Sequence, residues 1–482
     1  MFDNDNFVQK ELNDALLNFK NAKYDEAIVI LEKLKKKQSH FIINWYLGHS
    51  YFRIYDYSSA INCIKKSIEL KKPDNLNLSF LAEIYLQIND YKEAIRLFKE
   101  VLKIDNNNIN SLLRLARAYL DLGEFEKAKK YYTKIIQNEF DNFEAQYELT
   151  KIDKNYLTKD LLKEIEKNKI TSKTNYLNHI YSKFIQAEYY KNQKNYKEEF
   201  KSLLEAHETY LEKNQKAADQ EFNYFSNLLP KFMSKVKNIK FELNCNLKPI
   251  FIMGLPRSGT TLIENIISSS KNKIEPGSET GVLSQIFFSK KIILNYDSLN
   301  LDTNFNFEKN DFENLKRLIL KQYDELSIDT KKKVFIDKSL ENILYIDLVS
   351  KIFPNAKFVY CTRNKHANLL GIMKVFLPNI FWSHSIKKII SIMNLYNKKI
   401  EEIISENKIK IKIIELEKFS ENPTKFSKDL FNYLELDWHD RILSDRIDSK
   451  RLIKTVSNLQ VRKKISKHNL SYLDNYLHFL KD

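Results

Sequence analysis

The residues from Gly254 to Thr261 form the clearest chemical pattern in this sequence of 482 residues. A short apolar run at 248–253 precedes them and has the composition of a buried strand, and an amphipathic helix pattern follows them. A strand, a G-x-x-x-x-G loop and a helix together place backbone N–H groups and a helix dipole around an anion. A loop that binds nucleoside triphosphates would carry lysine in place of Thr260, whereas the cation here is Arg257. The pattern therefore predicts an anion-binding loop that is not of the kinase or NTPase type.

Short strands alternate with helices in the part of the chain that contains this loop. Apolar runs at 334–336, 357–362 and 409–414 are separated by helical stretches. Strands that alternate with helices form a parallel sheet with helices on both faces. We therefore predict an α/β domain of the P-loop type, with a central parallel sheet, over residues 247–482.

The first 150 residues repeat themselves with a period of 33 or 34 residues. The motifs YDEA, YSSA, YKEA and FEKA end at Ala27, Ala60, Ala94 and Ala128. Another small residue precedes each of the last three by twelve positions, at Gly48, Ala82 and Ala116. The pattern resembles the tetratricopeptide repeat, in which small residues stand where two helices touch. Further helix pairs are predicted around 141–168 and 176–212, so that an all-α superhelix spans residues 1–240.

The loop and four later segments resemble sulfotransferases that use 3′-phosphoadenosine 5′-phosphosulfate (PAPS). Residues 256–261, PRSGTT, resemble their 5′-phosphosulfate loop. Residues 275–281, EPGSETG, are similar to the Gly-x-Glu-Thr segment of protein-tyrosine sulfotransferases, and residues 337–342 are similar to an Asp-Lys-x-Pro-x-Asn motif. Residues 354–363 resemble the strand that leads to the 3′-phosphate arginine, and residues 457–461 a Ser-x-x-Gln-Val segment that closes over the nucleotide. Together with the repeats, the resemblance covers nearly the whole chain.

This resemblance implies a role for each matching residue. A hydroxyl becomes a good nucleophile only when a base takes its proton, and Glu279 matches the family's base. Negative charge builds on the leaving phosphate as the S–O bond breaks, and Lys338 matches the lysine that contacts the bridging oxygen. Arg363 matches the arginine that holds the 3′-phosphate. The remaining residues expected to bind PAPS are Arg257, Ser258, Gly259, Thr260, Thr261, Ser457, Arg462 and Lys463, of which Arg257 and Ser457 also belong to the expected catalytic set.

Several positions depart from the family pattern, among them Asn364 and Lys365, which replace the Asp/His-Pro that follows the arginine. Leu340 stands in place of the proline that follows the lysine, and Leu416 in place of a tyrosine that contacts the nucleotide. Gly371 stands where the family has a serine that donates a hydrogen bond to the 3′-phosphate. Lys365 and Lys374 are candidates to compensate for the altered phosphate site.

Composition narrows the class of protein further. Seven glycines and eight prolines among 482 residues predict a chain that is mostly regular structure. The cysteines Cys63, Cys245 and Cys361 are far apart and lack the spacing of metal ligands, so we expect neither a disulfide framework nor a metal site. An apolar signal segment and a membrane-spanning run are also absent from the sequence pattern, so we predict a cytoplasmic protein.

The sequence does not identify the hydroxyl compound that would accept the sulfuryl group. Tyrosine in a protein, a carbohydrate hydroxyl and another alcohol all need the same base and donor site. The repeats make a protein or peptide plausible as a partner, although the array could equally serve as a scaffold. The alternative to an enzyme is a catalytically degenerate scaffold that binds protein partners through the repeats. The net charge of +16 would also suit nucleic acid, but no recognition motif supports it, and we expect no nucleic-acid partner.

Overall fold

The computed structural model describes residues 6–71, 73–167, 175–270, 274–289, 308–447 and 451–480. These residues form two compact units. Unit 1 contains residues 1–118 and 318–329, and unit 2 contains residues 119–317 and 330–482. Unit 2 therefore combines the later helices of the N-terminal half with the predicted α/β domain.

Unit 1 consists of consecutive helix pairs. Residues 6–121 form α1 (Asn6–Lys20), α2 (Tyr24–Lys37), α3 (Phe41–Arg53), α4 (Tyr57–Leu70), α5 (Asn75–Gln87), α6 (Tyr91–Ile104) and α7 (Ile109–Asp121), the last of which ends in unit 2. The side chains of Asp56 and Asp90 cap α4 and α6 by accepting a backbone N–H from the first turn. A Cβ atom added to Gly48 would lie 2.4 Å from Ile64 Cδ1, so α3 and α4 need a small residue where they touch. The predicted repeat is thereby confirmed.

Further helices in unit 2 precede the sheet. They are α8 (Phe125–Asn138), α9 (Phe143–Ile152), α10 (Lys159–Lys167), α11 (Tyr176–Asn192), α12 (Tyr196–Asn223) and α13 (Leu229–Lys237), with a short 3₁₀ turn at Lys154–Tyr156 and a π-helical turn at Tyr224–Leu228. The predicted pair at 141–168 corresponds to α9 and α10, and its last residue lies outside the described residues. The pair at 176–212 corresponds to α11 and α12, and α12 continues eleven residues beyond the predicted end.

Within the described residues, unit 2 contains a four-stranded parallel sheet in the order β2-β1-β3-β4. Its strands are β1 (Ile250–Gly254), β2 (Ile336–Asp337), β3 (Lys357–Thr362) and β4 (Ile411–Glu415). The observed β2 is shorter than an ordinary strand, and β4 begins two residues later than predicted. The predicted α/β class is confirmed.

Further helices follow the strands along the chain, and the third of these helices ends in unit 1. They are α14 (Thr260–Ser268), α15 (Val282–Ser289), α16 (Lys309–Glu325), α17 (Ile346–Ile352), α18 (Lys365–Met373), α19 (Ile386–Glu406), α20 (Leu416–Glu421), α21 (Pro423–Leu434), α22 (Ile442–Asp445) and α23 (Asn458–Val461), with 3₁₀ turns at Leu340–Tyr345, Phe381–His384 and Ser471–Asn475. Isoleucines of β1 and α14 pack with Phe419 and Phe431 in the core beside the sheet. Because all four strands are parallel, the segments that follow them meet at one edge, where α/β proteins bind ligands.

Candidate active site

The loop between β1 and α14 has a backbone that only certain residues can adopt. Gly254 has φ +148°, and a Cβ atom there would lie 2.4 Å from the carbonyl oxygen of Cys361 on the neighbouring strand. Gly259 has φ +99° and is the last residue before α14. Arg257 also has a left-handed backbone, with φ +68°. Such strain in a residue other than glycine is typical of functional sites. The loop therefore turns sharply into the first turn of α14, whose N–H groups have no partner within the helix.

Arg257 is held by the C-terminal segment. Its Nη1 donates to Ser457 Oγ and its Nη2 to Gln460 Oε1, each at 2.6 Å. Its Nε is buried and has no hydrogen-bond acceptor among the described residues. Burial, and then the positive charge of Arg363, lower the pKa of Arg257 to about 10, so the guanidinium stays charged at neutral pH. The structure thus brings together Arg257 and Ser457, which are 200 residues apart in the sequence.

The other loop residues line the same turn. Ser258 is buried and its Oγ donates to the carbonyl oxygen of Leu255 at 2.7 Å. Thr260 and Thr261 are buried at the start of α14. Thr261 Oγ1 lies 3.2 Å from Thr455 Oγ1, which gives the C-terminal segment a second contact with the loop.

Lys338 and Glu279 form an ion pair beside this loop. The distance from Lys338 Nζ to Glu279 Oε1 is 2.8 Å, and Glu264 Oε2 lies 3.9 Å from the same nitrogen. Lys338 is fully buried, whereas the side chain of Glu279 is 42% exposed. Burial alone would lower the pKa of Lys338, but the nearby carboxylates of Glu279, Glu264 and Asp337 outweigh it and raise that pKa. The ammonium therefore stays charged, and the carboxylate beside it can meet a ligand from solvent.

Glu264 positions the segment that carries Glu279. Its Oε1 accepts a hydrogen bond from the backbone N–H of Ser278 at 2.7 Å, and the N–H of Lys338 donates to the carbonyl oxygen of Ser278 at 3.2 Å. A Cβ atom on Gly277 would lie 1.8 Å from the carbonyl oxygen of Ile336, so the segment runs directly against β2. Burial, as the largest influence, raises the pKa of Glu264. This carboxyl group thus joins α14, the Glu279 segment and Lys338.

Arg363 follows β3 and faces the loop from the other side. Its Nη1 donates to the carbonyl oxygen of Arg257 and its Nη2 to Tyr472 Oη, both at 3.4 Å. Its Nε lies 3.7 Å from Glu417 Oε1 without forming a hydrogen bond. Lys374 Nζ forms an ion pair with Glu199 at 2.9 Å, so a buried carboxylate already compensates this lysine.

Arg462 and Lys463 have different surroundings. Arg462 donates to Asn458 Oδ1 at 2.9 Å and to the carbonyl oxygens of Arg451 and Asp121 at 2.7 and 3.3 Å. Its guanidinium also lies against Gly123, where an added Cβ atom would be 2.7 Å from its Cζ. Lys463 is exposed. These contacts tie the C-terminal segment to the turn after α7, and the nucleotide-binding role of both residues stays a prediction.

Four residues that contact the predicted site residues were not predicted from the sequence: Glu264, Gln460, Glu417 and Tyr472. Gln460 lies within the quoted Ser-x-x-Gln-Val segment and could have been included from that motif. Glu264 lies on an amphipathic helix, where an acidic residue is most simply read as exposed. It is in fact buried, and its cationic neighbour Lys338 comes from the segment directly after β2.

The residues that meet at this edge suit a ligand with two separate anionic groups. Arg257 and Arg363 lie close enough for the charge of one to act on the other, and each has a buried Nε–H without an acceptor among the described residues. Buried N–H groups of a guanidinium are costly to leave unpaired. The N–H groups of the loop and the buried ammonium of Lys338 add further positive charge. Phosphate or sulfate oxygens are the acceptors that such donors need, so the chemistry of this donor set suits a ligand such as PAPS.

Comparison with known proteins shows which families parts of this chain resemble. Residues 249–440 match a family model described as the sulfotransferase family. Residues 86–152 match a tetratricopeptide-repeat model, and residues 20–100 match a model for subunit 3 of the anaphase-promoting complex, or cyclosome. The C-terminal region is therefore similar to the sulfotransferase family, and the region before it is similar to tetratricopeptide repeats.

Two curated proteins show how far the similarity extends. The chain is 26% identical over 261 residues to an uncharacterized protein of Aquifex aeolicus (strain VF5), which covers 51% of this chain and 33% of that protein. It is 25% identical over 214 residues to Protein-tyrosine sulfotransferase 1 of Danio rerio, with coverage of 42% and 57%. The match thus spans about a third of the first relative and somewhat over half of the second.

Two solved structures show a weak likeness to this chain. MamA 41-end from Desulfovibrio magneticus RS-1 is 16% identical, with a TM-score of 0.30 over 35% of this chain and 99% of that one. A tetratricopeptide-repeat protein of Cytophaga hutchinsonii is 16% identical, with a TM-score of 0.33 over 46% and 88%. At TM-scores below 0.5 these likenesses bear on neither function nor detailed fold.

Two further findings concern the described ranges. None of their helices has both the length and the apolar character that crossing a membrane requires. Nor do these ranges bring three or more His, Cys, Asp or Glu side chains together in a way that could hold a metal ion.

Proposed function

We propose that this protein transfers a sulfuryl group from PAPS to the hydroxyl of an acceptor. The observation that carries the proposal is the buried Lys338 paired with the accessible Glu279 beside a loop that holds Arg257. A fully buried lysine is rare unless it is paired, and paired buried charges of this kind are frequent at functional sites.

The reaction needs a base and a set of cations, and the site contains both. Glu279 takes the proton of the acceptor hydroxyl, and the acceptor oxygen forms a bond to sulfur. The bond between sulfur and the bridging phosphate oxygen breaks, and its electron pair stays on the leaving 3′-phosphoadenosine 5′-phosphate (PAP). Lys338, Arg257 and the N–H groups of the loop stabilise that negative charge. Ser457 and Gln460 hold the Arg257 guanidinium in place.

The Lys338 ammonium also contacts the proposed base, since its Nζ lies 2.8 Å from Glu279 Oε1. As negative charge develops on the leaving oxygen, the same ammonium is attracted to that oxygen. The contact between the two residues thus holds the base beside the cation that acts on the leaving group.

The acceptor is proposed as an alcohol or phenol, including tyrosine in a protein and the hydroxyl of a carbohydrate. The tetratricopeptide repeats support a role for a protein or peptide partner. One observation favours the alternative of a degenerate scaffold. Leu416, where the family has a nucleotide-contacting tyrosine, packs against the loop, because a Cβ atom on Gly259 would lie 2.9 Å from its Cδ1. A scaffold would retain partner binding through the repeats and have no turnover.

The test is sulfuryl transfer from labelled PAPS to a panel of phenols, sugars and tyrosine peptides, compared between Glu279→Gln and Glu275→Gln. Glu275 lies in the same segment and is exposed, so it is the matched control. Loss of a general base should slow turnover by about 10²–10⁴ in Glu279→Gln, with PAP affinity within about threefold of wild type. Glu275→Gln should keep the wild-type rate. Absence of transfer to every acceptor, or full activity of Glu279→Gln, would contradict the proposal.

A further inference from the structure

The 3′-phosphate site expected around Arg363 lacks one hydroxyl. Gly371 lies in α18 and has no side chain to donate a hydrogen bond. We infer that Tyr472 supplies that hydroxyl from the C-terminal segment and thereby determines the preference of the site for nucleotides with a 3′-phosphate. The inference rests on the proposed function, since it concerns the donor nucleotide of the same reaction.

Gly371 and Tyr472 lie beside different nitrogens of one guanidinium. A Cβ atom on Gly371 would be 3.2 Å from Arg363 Nη1 and 3.3 Å from Arg257 Cβ, so a side chain there would stand next to both arginines. Tyr472 Oη is 3.4 Å from the other terminal nitrogen, Nη2. The site thus has an arginine with a hydroxyl neighbour, but the hydroxyl comes from another part of the chain.

The chemistry of this contact leaves a donor for the ligand. Arg363 has only N–H donors, so the tyrosine oxygen must accept in the contact between them. A phenolic hydroxyl that accepts through its oxygen still has its own proton to donate. Arg363 Nη2 and Tyr472 Oη can therefore both donate to oxygens of one phosphate. Charge-assisted bonds of this kind are the strong ones in proteins.

The surroundings hold Tyr472 in this position. It lies in the 3₁₀ turn Ser471–Asn475, and the neighbouring residue Leu473 is buried. Tyr476, just after the turn, is buried and donates from its hydroxyl to Glu199 Oε2 at 2.6 Å. The buried Leu473 and the hydrogen bond of Tyr476 both hold this turn in place. The half-buried Tyr472 side chain therefore loses little further conformational entropy when a ligand binds.

Other charged groups near Arg363 leave room for an anion. Glu417 approaches the Nε side of the guanidinium and also accepts from the backbone N–H of Asn364 at 3.3 Å. His468 lies near enough for Arg363 to help lower its pKa, after burial as the main cause, so this ring is neutral at pH 7. The Nη side, where Tyr472 lies, is therefore the side on which a phosphate can bind.

The experiment is calorimetric titration of the full chain and of Tyr472→Phe with PAP and with 5′-AMP, which lacks the 3′-phosphate. Loss of a hydrogen bond to a charged group should weaken PAP binding about tenfold or more and leave 5′-AMP binding unchanged. Gly371→Ser in the Tyr472→Phe background restores a hydroxyl beside Arg363 Nη1 and should regain part of the preference for PAP.

The outcomes separate this inference from the proposed function. Equal affinity of wild type and Tyr472→Phe for PAP, or an equal loss for both nucleotides, would overturn the role of Tyr472 while PAP binding by wild type stands. Failure of wild type to bind PAP would overturn the proposed function and this inference together. Tyr433→Phe is the control, since its hydroxyl meets backbone groups outside the candidate site: it accepts from the N–H of Phe358 and can donate to the carbonyl oxygens of Phe358 and Lys410.

Discussion

Replacement of Lys338 by methionine separates the structural role of this lysine from its role in the reaction. The substitution leaves two carboxylates without their cation. Glu279 is 42% exposed and can turn to water, whereas the side chain of Glu264 is only 6% exposed. The loss of stability in Lys338→Met should therefore come mainly from the buried Glu264 carboxylate.

The distances allow the size of that cost to be worked out. At an effective dielectric constant of about 20, charges 3.9 Å apart attract by about 4 kcal/mol. Breaking a buried pair by removing one partner costs about 3–5 kcal/mol. Glu264 can take up a proton and keeps its hydrogen bond from the Ser278 N–H. We therefore expect Lys338→Met to lower the free energy of unfolding by about 3 kcal/mol, at the lower end of that range. Adding Glu264→Gln removes the buried charge that has lost its partner, so the double variant should recover about 2 kcal/mol of the free energy of unfolding.

The assay pairs unfolding with turnover. In a Trp45→Phe background the remaining tryptophans, Trp382 and Trp438, both lie in unit 2, so urea unfolding followed by their fluorescence reports on that unit. Turnover is measured as PAP formed from PAPS, and it should fall by about 10²–10³ in Lys338→Met. The double variant should regain stability without regaining rate.

One result would refute this reasoning. If Lys338→Met/Glu264→Gln recovered activity together with stability, Lys338 would be only a structural counter-ion. Lys399→Met is the control, because it breaks the ion pair with Asp347, where the charged atoms are 2.5 Å apart, outside the candidate site. That variant should lose stability and keep its turnover rate per folded molecule.

Two further predictions concern stability. Burial lowers the pKa of His384 to about 3 and that of His207 to about 4, so both rings are neutral in the native state, and the unfolded chain takes up protons first as pH falls below about 6.5. The stability that each neutral ring contributes is complete above that pH and is lost towards pH 4. The free energy of unfolding of wild type should therefore exceed that of His384→Gln by about 2 kcal/mol less at pH 5 than at pH 7. A difference that stays constant between these pH values would contradict this. Gly48→Val places a side chain where Cβ is already 2.4 Å from Ile64 Cδ1, and it should destabilise unit 1 by about 1–3 kcal/mol. Urea unfolding followed by Trp45 fluorescence, in a background with Trp382→Phe and Trp438→Phe, measures this change, and an unchanged midpoint would show that α3 and α4 can move apart freely.

The periodic part of the fold could be predicted because local sequence determines it. The small residues at Gly48 and Ala60 recur at a spacing that only paired helices bury on one face. The loop at 254–261 was also predictable, since its glycines meet a backbone requirement that Gly254 and Gly259 show directly. The exact ends of the strands were less predictable. The carbonyl oxygen of Phe335, just before β2, already accepts a hydrogen bond from the N–H of Ile250. Pairing between the two segments therefore begins before the first residue of β2.

Contacts between distant segments could not be predicted. Lys338 directly follows β2, and its Nζ lies 3.9 Å from the buried Glu264 carboxylate of α14, whose sequence pattern contains no sign of that partner. Arg462 lies in a basic segment that suits a nucleotide, yet its donors meet backbone carbonyls of Arg451 and Asp121. Tyr472 has no motif of its own, and its position beside Arg363 depends on where the C-terminal turn packs.

The central claim is that the loop, Arg257 and Arg363 form a binding site for a nucleotide with a 3′-phosphate. Calorimetric titration of the full chain with PAP, ATP and 5′-AMP tests it most directly, because it needs no knowledge of the acceptor. Micromolar binding of PAP, with far weaker binding of ATP and 5′-AMP, is the predicted result. Equal binding of all three nucleotides, or no binding of PAP, would contradict the claim.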